Sequence, residues 1–390
     1  MAFFRNRIVN LLNIHYGVFA LVMSGGGAFY AVFLLKAGVP VRVVFAALAA
    51  INMGRFLLRP AVPALAARFG LKPLLIAGTL VGASQYFFLA RVDGVGLWLL
   101  ILVLISAVGD TLYWTTYHAY FASLGDEEHR GHQVSAREAL AQLVGIVGPL
   151  ATGWALTVYG PKIAFGASSV LMLAAALPFL GTPNVKVART APGAFKAAWP
   201  GVLIFMADGW IVAGFYWAWQ ITLFITLGQS FTAFGGAMAL AALVGAASGM
   251  VLGRLIDAGH GTRAVFLSMG IYAGTTAFRL ASQGHPALAV AANACGAFVI
   301  CLYTPTMMTP VYNLAKQAPC ALRFHVATEG GWDVGASAAC ILASSLMFLG
   351  APLSVALWLS FLGIIASTIL LLRYYGGQSA ADAALGEATP

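Results

Sequence analysis

Charge is what this chain has least of. Asp, Glu, Lys and Arg together make up 8% of its 390 residues, against about a quarter in an ordinary soluble domain. A surface with so little charge would not stay dissolved in water, so most of it faces lipid. Cysteine is also sparse. Cys295, Cys301, Cys320 and Cys340 all lie in the second half, and none forms a CxxC pair. That spacing argues against a metal or disulfide site and leaves four small apolar side chains. Nothing resembles a nucleotide-binding loop, which argues against direct use of ATP. No cofactor and no metal are expected. The basic residues are scattered over separate short loops, so nucleic acid is not an expected partner.

What is present is apolar length. Hydrophobic residues make up 61% of the chain. In hydrocarbon a backbone must satisfy its own hydrogen bonds, so runs of about 20 apolar residues become helices. Twelve such runs are read, over 8–36, 40–66, 73–91, 96–123, 138–159, 163–181, 197–226, 232–256, 263–282, 286–315, 328–350 and 352–374. The predicted fold is an all-α polytopic membrane protein with twelve transmembrane helices in two pseudo-symmetric six-helix bundles. The N-terminal bundle covers 1–181, a cytoplasmic linker 182–196 and the C-terminal bundle 197–375. The linker holds Lys186, Arg189 and Lys196 with Pro183 and Pro192, and reads as an exposed connector. The small, polar tail over 376–390 is expected to be disordered. The first apolar run is too long for the core of a signal peptide and reads as retained.

The chain also repeats itself at a spacing of about 190 residues. Pro63-Ala-Leu65-Ala-Ala67 answers to Gly253-Arg-Leu255-Ile-Asp257, Leu112-Tyr113 to Leu302-Tyr303, and Leu124 to Leu314. Arg130-Gly-His132 answers to Arg323-Phe-His325 after a small length change. Two similar apolar halves suggest two bundles facing each other across a central pathway. Placing the N-terminus in the cytoplasm puts fourteen Lys and Arg inside and only Lys36, Arg42, Arg91 and Lys162 outside, a positive-inside bias. Both termini are then cytoplasmic, in the inner (cell) membrane, and the net charge of +9 is mostly a topology signal.

The loops after the second and eighth helices resemble the signature loop of the major facilitator superfamily, a Gly-x-Leu-x-Asp-Arg-x-Gly-Arg-Arg pattern. The second copy keeps Gly253, Leu255, Asp257, Gly261 and Arg263, with one extra residue before Gly261. The first keeps Leu65, Arg68, Gly70 and Lys72, with Pro63 for the first glycine and Ala67 for the acid. The resemblance implies two bundles that rock about a midplane site to give alternating access. It also implies that the first, fourth, seventh and tenth helices line the cavity, and that Asp257 carries the gating role of the loop acid. Tyr303 and Asn293 of the tenth helix join the cavity candidates on this ground.

Ionisable residues inside the membrane are costly and tend to face a bundle interior or a wet cavity. Asp110 in the fourth helix and Asp208 in the seventh are therefore the proton-coupling candidates. The alternative for each is a structural acid, hydrogen-bonded to a neighbouring helix or paired with an arginine. His15 and His118 are lesser candidates for proton relay. Asp110, Trp114, Tyr117 and Phe121 recur at helical intervals, with Tyr113 and His118 at the edges of that face. Asp208, Phe215 and Trp219 form a second stripe, with Gln220 close by. Aromatic rings beside a single acid suit an organic solute; an interfacial belt is the rival for Trp219. Arg55 and Arg59, one turn apart, could bind an anionic substrate or snorkel toward the headgroups, but are expected to pair with Glu329 and Asp333, and Arg279 is expected to snorkel. Glu138 and Glu329 read as opening corresponding helices, after Arg130 and Arg323, where the helix dipole favours an acid. The repeat makes them a symmetric pair of gate contacts.

These features point to a secondary active transporter, a monomer in the lipid bilayer, that moves a small-molecule substrate with coupling to protons. The first alternative is an exporter of drugs, lipids or other amphiphiles on the same fold. Gly145, Gly148, Pro149 and Gly153 partly resemble the glycine-proline motif of antiporters, but Asp110 stands in the region where drug antiporters carry an arginine. A polytopic membrane enzyme or a receptor is a further rival. An enzyme would use His132 with Glu138 or His325 with Glu329, and duplication of that arrangement in both halves fits a gate better.

Overall fold

The computed structural model describes residues 6–124, 130–256 and 261–386 and, within them, every side chain except those of 122, 130–139, 142, 249–256 and 378–386. Every regular element among the described residues is helical. The first crossing is made of α1 (Arg7–Val22), a π-helical turn (Met23–Gly27) and α2 (Tyr30–Lys36). There follow α3 (Val41–Leu58), the short α4 (Ala61–Phe69), α5 (Leu71–Leu89), α6 (Leu97–Leu124), α7 (Arg130–Val158) and α8 (Pro161–Ala175). After the linker and the one-turn α9 (Ala194–Ala197), the seventh crossing joins α10 (Trp199–Val212) to α11 (Trp219–Thr226) through a π-helical turn (Ala213–Ala218). The last five are α12 (Phe231–Ile256), α13 (Gly261–Ala281), α14 (Pro286–Gln317), α15 (Ala321–Phe348) and α16 (Ser354–Gly386). Ten crossings are apolar and long enough to span a membrane by length and composition; α5 and α7 complete the twelve expected.

Local chemistry explains where helices break. Pro60 has no N–H for the preceding turn and crowds its carbonyl, so the second predicted helix divides into α3 and α4. The π turn in the first crossing falls on Met23-Ser-Gly-Gly-Gly27, where three glycines hold the helix weakly. α16 runs on to Gly386, into the segment expected to be a disordered tail.

Small residues set how closely helices approach. A Cβ at Gly209 would lie 2.2 Å from the Trp332 carbonyl oxygen, and one at Gly335 2.0 Å from that of Met206, so α10 and α15 touch backbone to backbone. Two long contacts join the halves, α3 with α15 and α7 with α12. Exchanging the halves maps α3 onto α12 and α7 onto α15, so these contacts are counterparts. The first has polar ties: the Ser337 hydroxyl donates to the Ala49 carbonyl at 3.2 Å and that of Ser344 to Arg42 at 2.7 Å.

The linker is held against the loop between α4 and α5. The Leu71 N–H donates to the Val185 carbonyl at 2.8 Å. Asn184 Nδ2 donates to Phe69 and Lys72 Nζ to Thr182, both at 2.8 Å. From the other half, Arg323 Nη2 donates to the Arg189 carbonyl at 2.6 Å. The linker thus strings together the signature-like loop of one half and the start of α15 in the other.

Candidate functional site

A cavity of about 450 Å³ lies between the halves. The first half contributes Tyr30, Arg55, Tyr86, Asp110, Trp114 and His118 to its wall, and the second contributes Asp208, Tyr216, Trp217, Gln220, His325, Glu329 and Trp332. Its surface is largely aromatic, with charge concentrated on α3, α6, α10 and α15. The same alternation of apolar wall and a few converging polar groups marks small-molecule sites generally.

One wall is an ion cluster that bridges the halves. Arg55 Nε lies 3.0 Å from Asp333 Oδ1, Arg55 Nη2 3.7 Å from Glu329 Oε2, and Arg55 Nη1 3.9 Å from Asp110 Oδ2. Arg59 Nε donates to Asp333 Oδ2 and Arg59 Nη2 to Glu329 Oε2 at 3.3 Å. Arg59 Nη1 donates to the Thr115 hydroxyl at 2.6 Å. Asp333 is fully buried and Arg59 nearly so. The pairing of Arg55 and Arg59 with Glu329 and Asp333 expected from their spacing is therefore present. Asp110 is the outer member of the cluster, and its one ion-pair partner among the described residues is Arg55. Arg55 in the last turn of α3 and Arg59 at its C-cap, one turn apart, meet two acids one turn apart on α15, so each side presents a single charged edge.

Asp208 is different. It makes no ion pair among the described residues, and its Oδ2 accepts from Trp332 Nε1 at 3.0 Å. Trp332 also lies beneath Arg55, whose Cζ is 5.0 Å from the ring centroid. His118 stacks on Trp114 and on His325, with centroids 5.9 and 6.0 Å apart. His325 and Trp332 are additions to the expected site, yet His325, Glu329 and Trp332 recur at helical spacing on α15, a signal present in the sequence.

Several expected cavity residues lie elsewhere. His15 is buried outside the cavity. Its Nδ1 is 2.7 Å from the Ala175 carbonyl and its Nε2 2.8 Å from the Tyr113 hydroxyl. A carbonyl only accepts, so in the neutral ring Nδ1–H donates and Nε2 receives the Tyr113 proton. Tyr113 and Tyr117 stack in the same buried cluster, centroids 5.5 Å apart, and do not line the cavity. Phe215, Trp219 and Asn293 line a second cavity of about 300 Å³. Trp219, 2% exposed, is no interfacial belt residue, and its Nε1 donates to Asn293 Oδ1 at 3.0 Å. Tyr303 is buried behind the central cavity's wall, its hydroxyl 3.2 Å from that of Ser367 and within hydrogen-bonding reach of Asp208. Gln220 lines both cavities.

Two expectations are corrected. Arg279 does not snorkel: it is 4% exposed and packs on Phe215 and Trp219. Glu138 and Glu329 do not open helices, because α7 begins at Arg130 and α15 at Ala321. Each helix starts upstream of the predicted run: α7 opens on a polar stretch that hydropathy does not register, and α15 on turns where Arg323 and His325 interrupt apolar residues. The dipole reason for a symmetric gate pair goes with it. Of the remaining gate candidates, Arg68 and Arg263 are exposed and make no ion pair among the described residues, and Arg323 holds the linker. Gly70 turns the chain at φ +90 against Asn184, and Gly261 packs on Tyr375. Gly253 lies in the backbone of α12, and Arg130 and Glu138 in that of α7; the side chains of Arg130 and Glu138 lie outside those described, as does Asp257 altogether.

A helical membrane-spanning chain with a solute-sized cavity between two related halves is a multi-pass transporter in class. Residues 14–319 match the Major Facilitator Superfamily, and the chain belongs to that family. A search of curated proteins finds no match. Among solved structures the chain is similar to the POT family transporter PepTSo, with 12% identity, a TM-score of 0.67 and coverage of 96% of this chain and 99% of that one. It is similar to an auto-inhibited POT family peptide transporter at 14% identity and TM-score 0.62, covering 94% and 96%. It is also similar to the human organic anion transporter MFSD10 (TETRAN) at 14% identity and TM-score 0.67, covering 94% and 99%. At such identities the likeness speaks for the fold.

Proposed function

We propose that this protein is a proton-coupled carrier of a small, charge-bearing organic solute, which binds in the central cavity between Arg55 and Asp208. The observation that carries this reading is an acid, Asp208, that lines the cavity with the Trp332 indole and the Tyr303 hydroxyl as hydrogen-bond partners and no ion-pair partner among the described residues. An acid wetted from one side and then the other can exchange a proton with each. Asp110 is the second candidate, and it shares its partner Arg55 with two other acids.

The cavity's own chemistry favours a solute with a polar group at each end of an apolar body. Arg55 and Asp208 lie on walls from different halves, with Trp114, Trp217, Tyr30 and Tyr86 between. Peptides and organic anions, named for the similar structures, are solutes of this kind. The ion cluster acts in this reading as a lock. Arg55 and Arg59, at the end of α3, hold Glu329 and Asp333 on α15, closing that side while it is intact. A solute anion drawing Arg55 away loosens the lock, whereas a proton on Asp110 removes a competitor on the same half and leaves Arg55 to the two acids of α15, which tightens it. The N-terminal bundle 1–181, the linker 182–196 and the C-terminal bundle 197–375 are the bodies that would rock, with both termini cytoplasmic.

Proteoliposomes with an imposed pH gradient test this. Dipeptides and small organic anions are offered to the unaltered protein and to Asp208→Asn and Asp110→Asn. Uptake that follows the gradient and is uncoupled by Asp208→Asn supports the reading. Uptake by both variants that responds fully to the gradient overturns it.

A further inference from the structure

We propose that the second cavity is a binding site for a singly charged oxyanion carried on an apolar body, with Arg279 as its cation. The cavity is formed by α7, α11 to α14, the π turn before α11 and the π turn of the first crossing, and its volume is about 300 Å³. Arg279 projects into it from the end of α13. The side chain is 4% exposed, and no acid lies within ion-pair distance among the described residues. Its Nη1 donates to the Phe215 carbonyl at 2.6 Å. Its Nε has no hydrogen-bond partner. The guanidinium rests on the rings of Phe215 and Trp219, with Cζ 3.8 and 4.9 Å from their centroids.

Space has been left for this head. A Cβ at Gly296 would stand 2.2 Å from Arg279 Nη2, so a side chain at that position would push the guanidinium away. One hydrogen bond and two ring faces do not neutralise a buried cation, and an unpaired buried charge is costly. A second donor lines the same cavity. Gln220 is 3% exposed and lies beside the Tyr216 hydroxyl, and its Nε2 makes no hydrogen bond of normal geometry. Two unsatisfied N–H donors, one of them cationic, call for an acceptor with negative charge. Most of the remaining wall is apolar, with Met238, Ala297 and Ile300 beside the polar Ser24 and Asn293, which suits a hydrocarbon or aromatic body. Tyr216 and Gln220 line this cavity and the central one alike, so they form the partition between two sites. Binding at Arg279 needs no transport through the central cavity.

The oxyanion can come from a free organic acid or from an anionic lipid. The test uses benzoate, with benzyl alcohol as its uncharged analogue, and full-length protein in nanodiscs of phosphatidylcholine alone or with phosphatidylglycerol. Binding is read by thermal shift and tryptophan fluorescence. Benzoate is expected to bind and benzyl alcohol to bind much more weakly. Arg279→Gln is expected to weaken benzoate at least about tenfold, the loss of one charge-assisted contact, and Arg279→Lys less. Gly296→Ala keeps the charge but crowds the head, and is expected to weaken benzoate while leaving the fold intact; it decides the matter if Arg279→Gln does not fold. Phosphatidylglycerol that raises the apparent Kd for benzoate in the unaltered protein assigns the site to lipid, and an unchanged Kd assigns it to a free acid. Equal affinity for benzoate and benzyl alcohol, or benzoate affinity unchanged in the Arg279→Gln and Gly296→Ala variants, overturns the proposal.

Discussion

Trp332 donates its indole N–H to Asp208 at 3.0 Å while its ring lies beneath the guanidinium of Arg55. One side chain on α15 therefore touches the acid of α10 and the basic residue that ties α3 to α15. It sits where any exchange between the two charged ends of the cavity must be felt. Replacing it with Phe keeps a ring under Arg55 and removes the donor to Asp208. A hydrogen bond to a charged acceptor contributes about 1.5–3 kcal/mol. Trp332→Phe is expected to lower gradient-driven uptake in proteoliposomes by roughly tenfold or more, with little change in melting temperature. Trp332→Leu, which removes both contacts, should lower uptake further and also weaken the α3–α15 contact. Unchanged coupling in Trp332→Phe would remove the role assigned to this pair.

The buried end of the ion cluster makes a stability prediction. Arg59 and Asp333 are among the most buried charged groups in the protein. Removing one partner of a buried pair leaves the other uncompensated and costs about 3–5 kcal/mol. Arg59→Gln and Asp333→Asn should each lower the melting temperature sharply. The double variant should fall well short of the sum of the two, because no single charge is stranded in it. Glu329 also touches Arg59, so some loss remains. Additive losses in a thermal-melting cycle would show that the pair is not a unit.

How far the sequence reached depended on which coordinate a residue's role needed. Apolar length tells where a crossing begins and ends along its axis, because hydrocarbon leaves the backbone no alternative to a helix. Twelve crossings and two halves were legible for that reason. The contact of Arg55 and Arg59 with Glu329 and Asp333 was legible because both pairs keep one-turn spacing on regular helix. The places of Phe215 and Trp219 were not, because the π turn over Ala213–Ala218 intervenes. An extra residue in a helix rotates every later side chain by about 100°, so a stripe drawn through Asp208 leaves the cavity on its far side. The burial of Arg279 was not legible at all. Nothing in its own segment tells that Gly296, on the next helix, leaves room for its head.

Close helix approach gives a contrast that a single pair of variants can read. Gly335 packs where a Cβ would stand 2.0 Å from the Met206 carbonyl, whereas Gly274, inside α13, has nothing within 4 Å of such a Cβ. Gly335→Ala forces α10 and α15 apart and should destabilise the protein by about 1–3 kcal/mol, as overpacking does. Gly274→Ala meets no neighbour and gains helix propensity of up to about 1 kcal/mol, so its melting temperature should hold or rise. Equal effects at the two positions would show that α10 and α15 are not in backbone contact.

The linker is the last place where a local contact has a distant reading. Gly70 adopts φ +90, a region that L side chains rarely occupy, and a Cβ there would meet Asn184 Oδ1 at 2.1 Å. Asn184 in turn reaches back to Phe69, and the neighbouring Leu71 N–H holds Val185. Gly70→Ala is strained on both counts, and should release the linker from the α4–α5 loop while leaving the helices in place. Limited proteolysis within 182–196 is expected to speed up several-fold, in keeping with a locally opened segment, with the melting temperature moving by only a few degrees. Asn184→Ala makes the discriminating comparison, because it removes the tie without straining the turn. If it speeds cleavage as Gly70→Ala does, the hydrogen bonds hold the linker; if only Gly70→Ala does so, the turn itself is what shapes it. Cleavage unchanged in both variants would mean that the other ties, Leu71 to Val185, Lys72 to Thr182 and Arg323 to Arg189, hold the linker without Asn184.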